Sequence, residues 1–353
     1  MQSSTFSQGP DTDPTPIFEA FRWRYGSLLL TGAVAHFGLF EKLAHGGLPE
    51  ETLRARMQLR SRPFNVLMTA MQAMGFIHRD SKGLFESTQL AQEHLDSSQP
   101  FYVGDYLGLA ANAPEVIDMV QRLKTDRPTD IENKGAAFIY RAGVKSAMEE
   151  SSLARHFTLS LAGRARNVAP ALARQLDLNG VKHLVDVAGG TGIYALALLE
   201  ANPDLQVTLV ELPEVLAIAR EIAAHHPCRD RLHCVEGDMF EWQPRKDMQA
   251  CLFSNIFHDW NVPECHRLIH RYTSRLQAGG RLIIHDVFLN DALDGPLPIA
   301  LYSAALFTLT EGRAYAVAEY REWMEACGLS VSGPTETLVH CGLLTGQRDL
   351  VAQ

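Results

Sequence analysis

The segment from His183 to Trp260 constrains the fold of this 353-residue chain more than any other part of the sequence. It begins with HLVDVAGGTG (183–192), an apolar run typical of a buried strand, with an acidic residue and then a glycine-rich turn. Glycines are needed where the backbone approaches a charged ligand closely and a helix begins at once. A second apolar run carries Glu211 at its end, 21 residues after Gly190. A carboxylate at that spacing suits the two hydroxyls of a ribose.

Two further apolar runs end in polar groups. GDMF (237–240) follows one of them, and ACLFSNIFHDW (250–260) ends in a histidine, an aspartate and a tryptophan. Strands and helices are predicted to alternate from Val181 onward, which indicates a mostly parallel sheet with helices on both faces. Because open α/β sheets bind ligands at the carboxyl ends of their strands, we expect these polar groups to line one crevice.

The glycine spacing distinguishes between cofactors. A dinucleotide fingerprint, G-x-G-x-x-G, would need glycines at 188, 190 and 193, but the chain has Ala188, Gly190 and Ile193. The turn instead resembles the first motif of S-adenosylmethionine-dependent methyltransferases. DVAGGTG, VELP, GDMF, HDW and AGGRLIIHD follow one another as in the small-molecule O-methyltransferases, which include the caffeate and acetylserotonin enzymes and bacterial natural-product enzymes. The resemblance covers roughly residues 183–325.

The resemblance implies a Rossmann-like α/β domain whose last strand is antiparallel, with S-adenosylmethionine as cofactor. It implies that glycine backbone passes the methionine part of the cofactor, that Glu211 accepts from the ribose and that Asp238 accepts from the adenine amino group. Asp186 is expected to order the turn or to meet the cofactor amino group through a water molecule. For Met239 and Trp260, ordinary core packing is the alternative to contact with the adenine ring. The predicted cofactor-binding residues are Asp186, Gly189, Gly190, Glu211, Leu212, Asp238, Met239, Ser254 and Trp260.

The resemblance also identifies His258 as a candidate general base, a role that suits a side chain whose pKa lies near neutral pH. Asp286 falls at the position of an acid that supports the base. A second supporting acid is expected near Ala314, where the chain has none, and Glu311 is the nearest substitute. As an alternative, His258 caps the helix at 262–276. Asp259 is expected to cap that helix or turn rather than take part in the chemistry.

The acceptor pocket is predicted from aromatic and methionine side chains, which commonly line small-molecule clefts. Tyr140, Met148, Tyr302 and Phe307 are the predicted lining, and core packing is the alternative for each. Only the resemblance points to a phenolic hydroxyl as the acceptor. Methylation of sulfur, nitrogen or carbon without a base stays open.

The first 180 residues are predicted to be mostly helical. Residues 1–16 are expected to form a flexible tail, residues 17–110 a winged-helix-like dimerisation domain, and residues 111–353 the methyltransferase domain with a helical acceptor-pocket insertion at 111–180. Helices over 17–45, 48–59 and 61–77 and a hairpin over 78–88 give the winged-helix outline. The resemblance implies a homodimer.

A winged helix also raises the alternative of a regulator that senses S-adenosylmethionine and binds DNA. The net charge of −9 disfavours nucleic acid as a partner, because phosphate binding needs clustered Lys and Arg. A catalytically silent homologue is a third alternative, disfavoured by the intact motifs.

The remaining expectations concern the compartment and metals. No signal peptide and no apolar run of about 18 residues are visible, so neither secretion nor membrane insertion is expected. Six cysteines without a C-x-x-C pair favour a reducing cytoplasm. We expect no metal, because Cys265-His266 has no second ligand pair.

Overall fold

The chain divides into two compact units. The structure is a computed structural model that describes residues 5–129, 139–140 and 151–350. The sheet unit comprises Met1–Pro16, Gly135–Phe288 and Val317–Gln353, and the helical unit comprises Ile17–Lys134 and Leu289–Ala316. The helical unit therefore extends past the boundary expected after residue 110 and gains a segment from the second half of the chain.

The helical unit contains the predicted helices followed by the predicted hairpin. Its elements are α1 (Thr15–Ala35), α2 (Leu39–Leu43), α3 (Glu50–Met57), α4 (Ser61–Ala73), β1 (Ile77–Arg79), β2 (Phe85–Ser87), α5 (Gln89–His94), α6 (Gly104–Gly108), α7 (Pro114–Thr125), α12 (Leu297–Leu309) and β8 (Tyr315–Ala316). Strands β1 and β2 pair antiparallel. The helix predicted over 17–45 is interrupted, because Gly38 takes a left-handed φ of 52° at the start of α2.

One hydrophobic core explains why the helical unit extends beyond residue 110. Phe64 and Leu67 of α4 are fully buried in it. Val120 and Leu123 of α7 belong to the same core, as does Phe307 of α12. Burying these apolar side chains ties α7 and α12 to the first four helices, since each large apolar side chain contributes about 1.5–3 kcal/mol when it is removed from water.

The sheet unit has the predicted alternation of strands and helices. Its elements are α8 (Ser151–Gln175), β3 (His183–Val187), α9 (Ile193–Ala201), β4 (Gln206–Glu211), α10 (Pro213–Ala223), β5 (Leu232–Glu236), β6 (Met248–Ser254), α11 (Val262–Thr273), β7 (Leu276–Leu289), α13 (Val317–Glu325), β9 (Leu329–Glu336) and β10 (Cys341–Arg348). The strand order is β5-β4-β3-β6-β7-β10-β9. Strands β3 to β7 run parallel, and β10 is antiparallel to both of its neighbours. The prediction of a Rossmann-like sheet with an antiparallel last strand is confirmed.

The strand order reverses between β3 and β6. From β3 the chain proceeds outward through β4 and β5, then returns to the other side of β3 and continues through β6 and β7. Such a reversal opens a crevice at the carboxyl ends of the two central strands, because the connections leave in opposite directions. The polar residues singled out from the sequence follow these strand ends.

The N-terminal segment is anchored on the sheet unit, so the prediction of a flexible tail is wrong for its described part. The ring of Phe6 is buried and stacks on the imidazole of His226, with 5.5 Å between ring centroids. The backbone N–H groups of Phe6 and Ser7 donate to the carboxylate of Glu200. Phe6 supplies the apolar surface for this anchoring. The polar composition of the segment as a whole did not indicate that one aromatic side chain would be buried.

Within the described residues, no helix is both long and apolar enough to cross a membrane.

Candidate active site

The glycine-rich turn between β3 and α9 packs directly over Asp186. A Cβ atom added to Gly189 would lie 2.4 Å from Oδ2 of Asp186, so a larger residue cannot occupy this position without a shift. Gly190 has a φ of 57°, a left-handed conformation that glycine adopts without strain. The turn therefore brings half-buried backbone close to the ends of β3 and β4.

Asp186 is fully buried beneath this turn. Neither of its carboxylate oxygens has a hydrogen-bond partner among the described residues. Burial, and then the neighbouring carboxylate of Glu211, raise the pKa of Asp186 to about 7. Asp186 makes no hydrogen bond to the turn, within which the N–H of Gly192 donates to the carbonyl of Gly189, so an ordering role for Asp186 through packing stays a prediction. A buried acceptor without a donor fits the other expected role, in which a cationic amino group meets it.

Glu211 ends β4 and fastens the turn to that strand. Its Oε2 accepts from the N–H of Gly190 at 3.0 Å, and its Oε1 accepts from the N–H of Leu212 at 2.8 Å. Burial raises the pKa of Glu211 to about 7, although both backbone N–H groups lower it. Each carboxylate oxygen has two lone pairs, so both can accept a further hydrogen bond from a ribose hydroxyl.

The third strand end carries Asp238 and Met239. Asp238 is exposed, and its Oδ1 accepts from the N–H of Phe240 at 2.8 Å. Met239 is half-buried. Trp260 is buried and packs edge to face on Phe240, with 4.9 Å between centroids. This contact agrees with the core-packing alternative for Trp260, and contact of Trp260 or Met239 with adenine stays a prediction.

Ser254 ends β6, where it is joined to β7. Its hydroxyl shares a 2.8 Å hydrogen bond with Nδ1 of His285, whose Nε2 lies 3.0 Å from Oγ1 of Thr337. Burial, followed by the positive charge of Arg164, lowers the pKa of His285 to about 3. The imidazole of His285 is therefore neutral and structural, and the predicted contact of Ser254 with the cofactor stays a prediction.

His258 lies in the 3-10 turn Phe257–Asp259 that follows β6, and Asp286 lies on β7. Nδ1 of His258 donates to Oδ1 of Asp286 at 2.5 Å, and the N–H of Val287 donates to the same oxygen at 2.8 Å. The hydroxyl of Tyr320 donates to the other oxygen of Asp286 at 3.4 Å. Because Nδ1 carries the proton, the basic lone pair of the neutral ring is on Nε2.

The helix that follows is capped by Asn261, whose side chain accepts from the N–H of Glu264 at 3.1 Å. The capping roles considered for His258 and Asp259 are therefore wrong. Oδ1 of Asp259 lies instead 3.6 Å from Nε2 of His258. Burial lowers the pKa of His258, but the carboxylates of Asp286 and Asp259 outweigh it, so that pKa lies above its usual value. Burial raises the pKa of Asp259 to about 6.

Tyr302, Phe307 and Glu311 belong to the helical unit. Phe307 is buried in the core of that unit with the guanidinium of Arg62 over its ring, which agrees with the core-packing alternative, and its place in the acceptor pocket stays a prediction. Ala314, where an acid was expected, is fully buried.

Tyr140 is buried in the sheet unit, and Met148 lies outside the described residues. The roles of Tyr140, Met148, Tyr302 and Glu311 stay predictions.

Two side chains at the site, and the orientation of a third, were not anticipated from the sequence. Arg164 reaches Asn255 from α8, and Tyr320 reaches Asp286 from α13. The two members of the first pair are 91 residues apart, so no local spacing reveals them. Asp259 is adjacent to His258 in the sequence, but the sequence does not show that its side chain points toward the histidine ring.

Comparison with known proteins agrees with this geometry. A family model described as an O-methyltransferase domain matches residues 118–330. The 3-hydroxy-5-methyl-1-naphthoate 3-O-methyltransferase of Streptomyces sahachiroi is 30% identical, and the match covers 90% of each chain. The TcmO 8-O-methyl transferase of tetracenomycin polyketide synthesis in Streptomyces glaucescens is 28% identical over 95% of this chain and 97% of its own.

A solved structure, an O-methyltransferase family 2 protein from Planctomyces limnophilus in complex with apigenin, has a TM-score of 0.89 and 40% identity. That match covers 99% of this chain and 100% of the other. The buried, unpartnered Asp186 and the carboxylate of Glu211 fit the amino group and the ribose of S-adenosylmethionine. The chain therefore belongs to the O-methyltransferase family and is an S-adenosylmethionine-dependent methyltransferase that acts on a small-molecule acceptor.

Proposed function

We propose that the protein methylates a hydroxyl group on a flat aromatic acceptor, with His258 as the general base. The observation that carries the proposal is the hydrogen bond from Nδ1 of His258 to Asp286, which directs the basic nitrogen of a buried ring away from the strand. The names of the naphthoate and tetracenomycin relatives and the apigenin complex support an aromatic acceptor.

The cofactor supplies an electrophilic methyl group, and the residues of the chain do the remaining work. Holding the acceptor oxygen in line with that methyl group and excluding water contributes about 7–11 kcal/mol to lowering the barrier. Nε2 of His258 takes the hydroxyl proton as the oxygen becomes nucleophilic. Asp286 fixes the ring, and the carboxylate of Asp259, 3.6 Å from Nε2, stabilises the imidazolium that forms.

Binding of the cofactor is assigned to the strand edge described above. Glu211 accepts from the ribose, Asp238 from the adenine amino group, and Asp186 from the methionyl amino group through a water molecule. Glu311 is proposed as the second acid that supports the base, and Tyr140, Met148 and Tyr302 as acceptor-pocket residues.

The test is to incubate the enzyme with S-adenosylmethionine and apigenin, alongside apigenin whose hydroxyls are all blocked as methyl ethers. We expect a product from the free phenol with the new methyl group on oxygen, located by NMR, and no product from the blocked compound. A hydroxynaphthoate and its methyl ether form a second matched pair. Methylation of carbon in either compound, or transfer to thioethers or amines but to no hydroxyl, would contradict the proposal.

A homodimer formed through the helical unit completes the proposal. Large apolar side chains there are exposed, among them Phe21, Trp23, Phe101, Tyr106 and Leu109. Exposed apolar surface of this kind marks interaction sites. Light scattering should give twice the monomer mass, and Tyr106→Lys combined with Leu109→Asp should shift it toward the monomer.

We also infer a cytoplasmic location. All six cysteines are free, which supports a reducing compartment. Fractionation of the source cells would test this.

A further inference from the structure

The carboxyl end of β6 carries no charge of its own, because Ser254 and Asn255 stand there. The side chain of Arg164, on α8, nevertheless places a positive charge at this strand end. Nη1 of Arg164 donates to Oδ1 of Asn255 at 2.8 Å, and its Nη2 lies 2.9 Å from Sγ of Cys341. Arg164 is half-buried, and these two contacts hold its guanidinium between the end of β6 and the start of β10.

We propose that Arg164 binds the carboxylate of the methionyl part of S-adenosylmethionine. This inference rests on the cofactor assigned above and names the residue that receives its single negatively charged group. A guanidinium presents five N–H donors in a planar fork, which can serve a carboxylate while it keeps a neighbouring amide.

The position of Asn255 indicates which end of the cofactor lies here. Nδ2 of Asn255 lies 3.5 Å from the hydroxyl of Tyr194, in the first turn of α9, directly after the glycine-rich turn. The ribose acceptor Glu211 fastens the other side of that same turn. The amino-acid part of the cofactor therefore extends from the turn toward the end of β6, away from the strand ends that hold ribose and adenine.

Charge complementarity points the same way. Five acids lie at or just after the ends of the parallel strands: Asp186, Glu211, Asp238, Asp259 and Asp286. These acids attract the ammonium and sulfonium groups of the cofactor but repel its carboxylate. Arg164 supplies the opposite charge, which disfavours protonation of both His258 and His285, although the carboxylates beside His258 raise the pKa of that ring overall.

The experiment compares two ligands that differ in the amino-acid part. S-adenosylhomocysteine carries the carboxylate, whereas 5′-methylthioadenosine keeps adenosine and the thioether but lacks the carboxylate and the amino group. Calorimetric titrations of both are made with the wild-type enzyme, Arg164→Gln, Arg164→Lys and the control Arg166→Gln. Arg166 lies on the same helix, exposed, with its guanidinium 4.9 Å from the centroid of the Phe6 ring.

We expect Arg164→Gln to weaken the binding of S-adenosylhomocysteine roughly 10- to 100-fold, because one charge-assisted contact is lost. The affinity for methylthioadenosine should change less than about twofold. Arg164→Lys should lose less affinity for S-adenosylhomocysteine, since lysine keeps the positive charge but lacks the planar array of N–H donors. Arg166→Gln should change neither ligand. Decarboxylated S-adenosylmethionine, which retains the amino group, should be as insensitive to Arg164→Gln as methylthioadenosine.

Two results would overturn the proposal. Equal losses for both ligands would show that Arg164 only supports the fold. An unchanged affinity for S-adenosylhomocysteine with a lower kcat would place Arg164 at the acceptor instead. Failure of the wild-type enzyme to bind S-adenosylhomocysteine would contradict the cofactor itself, and is distinguished from a failure of the Arg164 assignment because the wild-type titration is made first.

Discussion

Two pairs of buried polar side chains at the same sheet edge are organised in opposite ways. The carboxylate pair, Asp186 and Glu211, lies near the ends of β3 and β4, and the pKa of each member is raised to about 7. In the imidazole pair, His258 follows β6 and Asp286 lies on β7. Asp286 accepts from the His258 ring, from the N–H of Val287 and from Tyr320.

The difference separates binding from chemistry. In the carboxylate pair, two like charges are buried together and Asp186 has no donor among the described residues, so the pair is costly until a cation or hydroxyl donors reach it. In the imidazole pair the donors are already in place, so the base is oriented before any ligand arrives. We therefore expect changes in the carboxylate pair to alter binding and stability, and changes in the imidazole pair to alter kcat.

The largest effect is expected from His258→Ala, which removes the base. With a hydroxyl acceptor, kcat should fall roughly 10²- to 10⁴-fold. The affinity for S-adenosylhomocysteine should stay within about twofold, because the carboxylate pair is untouched. Steady-state kinetics and calorimetry measure the two quantities, and His270→Ala, which removes an exposed histidine of α11, is the matched control.

The pH profile sharpens the same prediction. The raised pKa of His258 means that the ring stays protonated to a higher pH than an ordinary histidine, whose pKa is about 6.5. The wild-type kcat/KM should therefore fall as pH decreases through a value above about 6.5. If His258→Ala lowered kcat by less than about tenfold, His258 would not be the general base.

Glu211→Gln should have the next largest effect, on binding. The change keeps the shape of the side chain but removes the charge that strengthens hydrogen bonds from the ribose hydroxyls. We expect affinity for S-adenosylhomocysteine to fall roughly 10- to 100-fold, as for the loss of hydrogen bonds to a charged group.

Glu214→Gln, in the first turn of α10, removes a neighbouring charge that is not part of the pair and should leave the affinity unchanged. If instead Glu211→Gln lowered kcat without weakening binding, the assignment of cofactor binding to the carboxylate pair and of chemistry to the imidazole pair would be wrong.

The sequence predicted the strand ends because each carries its own local signal. The glycine turn, Glu211 and Asp238 follow apolar runs directly, and a parallel sheet places all such ends at one edge. His258 and Asp286 were found through the same motifs, together with the family resemblance.

What the sequence did not reveal depends on the packing of helices against the sheet. Arg164 and Tyr320 reach the site from α8 and α13, and a helical residue meets its tertiary partner only once the helix is docked. The direction of the Asp259 side chain and the burial of Phe6 depend on local turns that spacing does not encode. The extent of the helical unit was misjudged because an apolar face shows that a helix is buried without showing against which neighbours.

Asp186→Asn should have a smaller effect, on the stability of the ligand-free protein. The folded pKa of about 7 lies above the usual value of 3.8, so the folded state holds a proton that the unfolded chain releases. Stability is therefore lost as pH rises from about 4 to about 7, and the full cost is present above pH 7. Removing the charge should raise the free energy of unfolding at pH 8 by roughly 1–2 kcal/mol and leave it unchanged near pH 4.

Urea unfolding at the two pH values measures this difference, with and without S-adenosylhomocysteine. The ligand should stabilise the wild-type protein more than Asp186→Asn, because its amino group provides the donor that the buried carboxylate lacks. Asp204→Asn, a change at an acid outside the site, should show no pH-dependent gain. If Asp186→Asn were destabilising at pH 8, the carboxylate would have a partner that the geometry does not show.

The smallest effect is expected from Tyr320→Phe, which tests whether the imidazole pair is as well organised as its geometry indicates. The hydrogen bond from Tyr320 to Asp286 is long, at 3.4 Å, and Asp286 keeps its bonds to His258 and Val287. Phenylalanine preserves the edge-to-face contacts of the ring with Phe288 and Trp323. We expect kcat to fall roughly two- to fivefold with both KM values unchanged, since a hydrogen bond of this kind contributes about 0.5–1 kcal/mol.

The pH profile separates positioning from general support of the fold. Removing the donor leaves more negative charge on Asp286, which favours the protonated ring, so the acid limb of kcat/KM should move slightly toward higher pH. A lower unfolding temperature with an unmoved acid limb and an unchanged kcat would show that Tyr320 only packs against its neighbours. In that case the backbone N–H of Val287 would suffice to hold Asp286, and the contrast between the two pairs would rest on His258 and Asp286 alone.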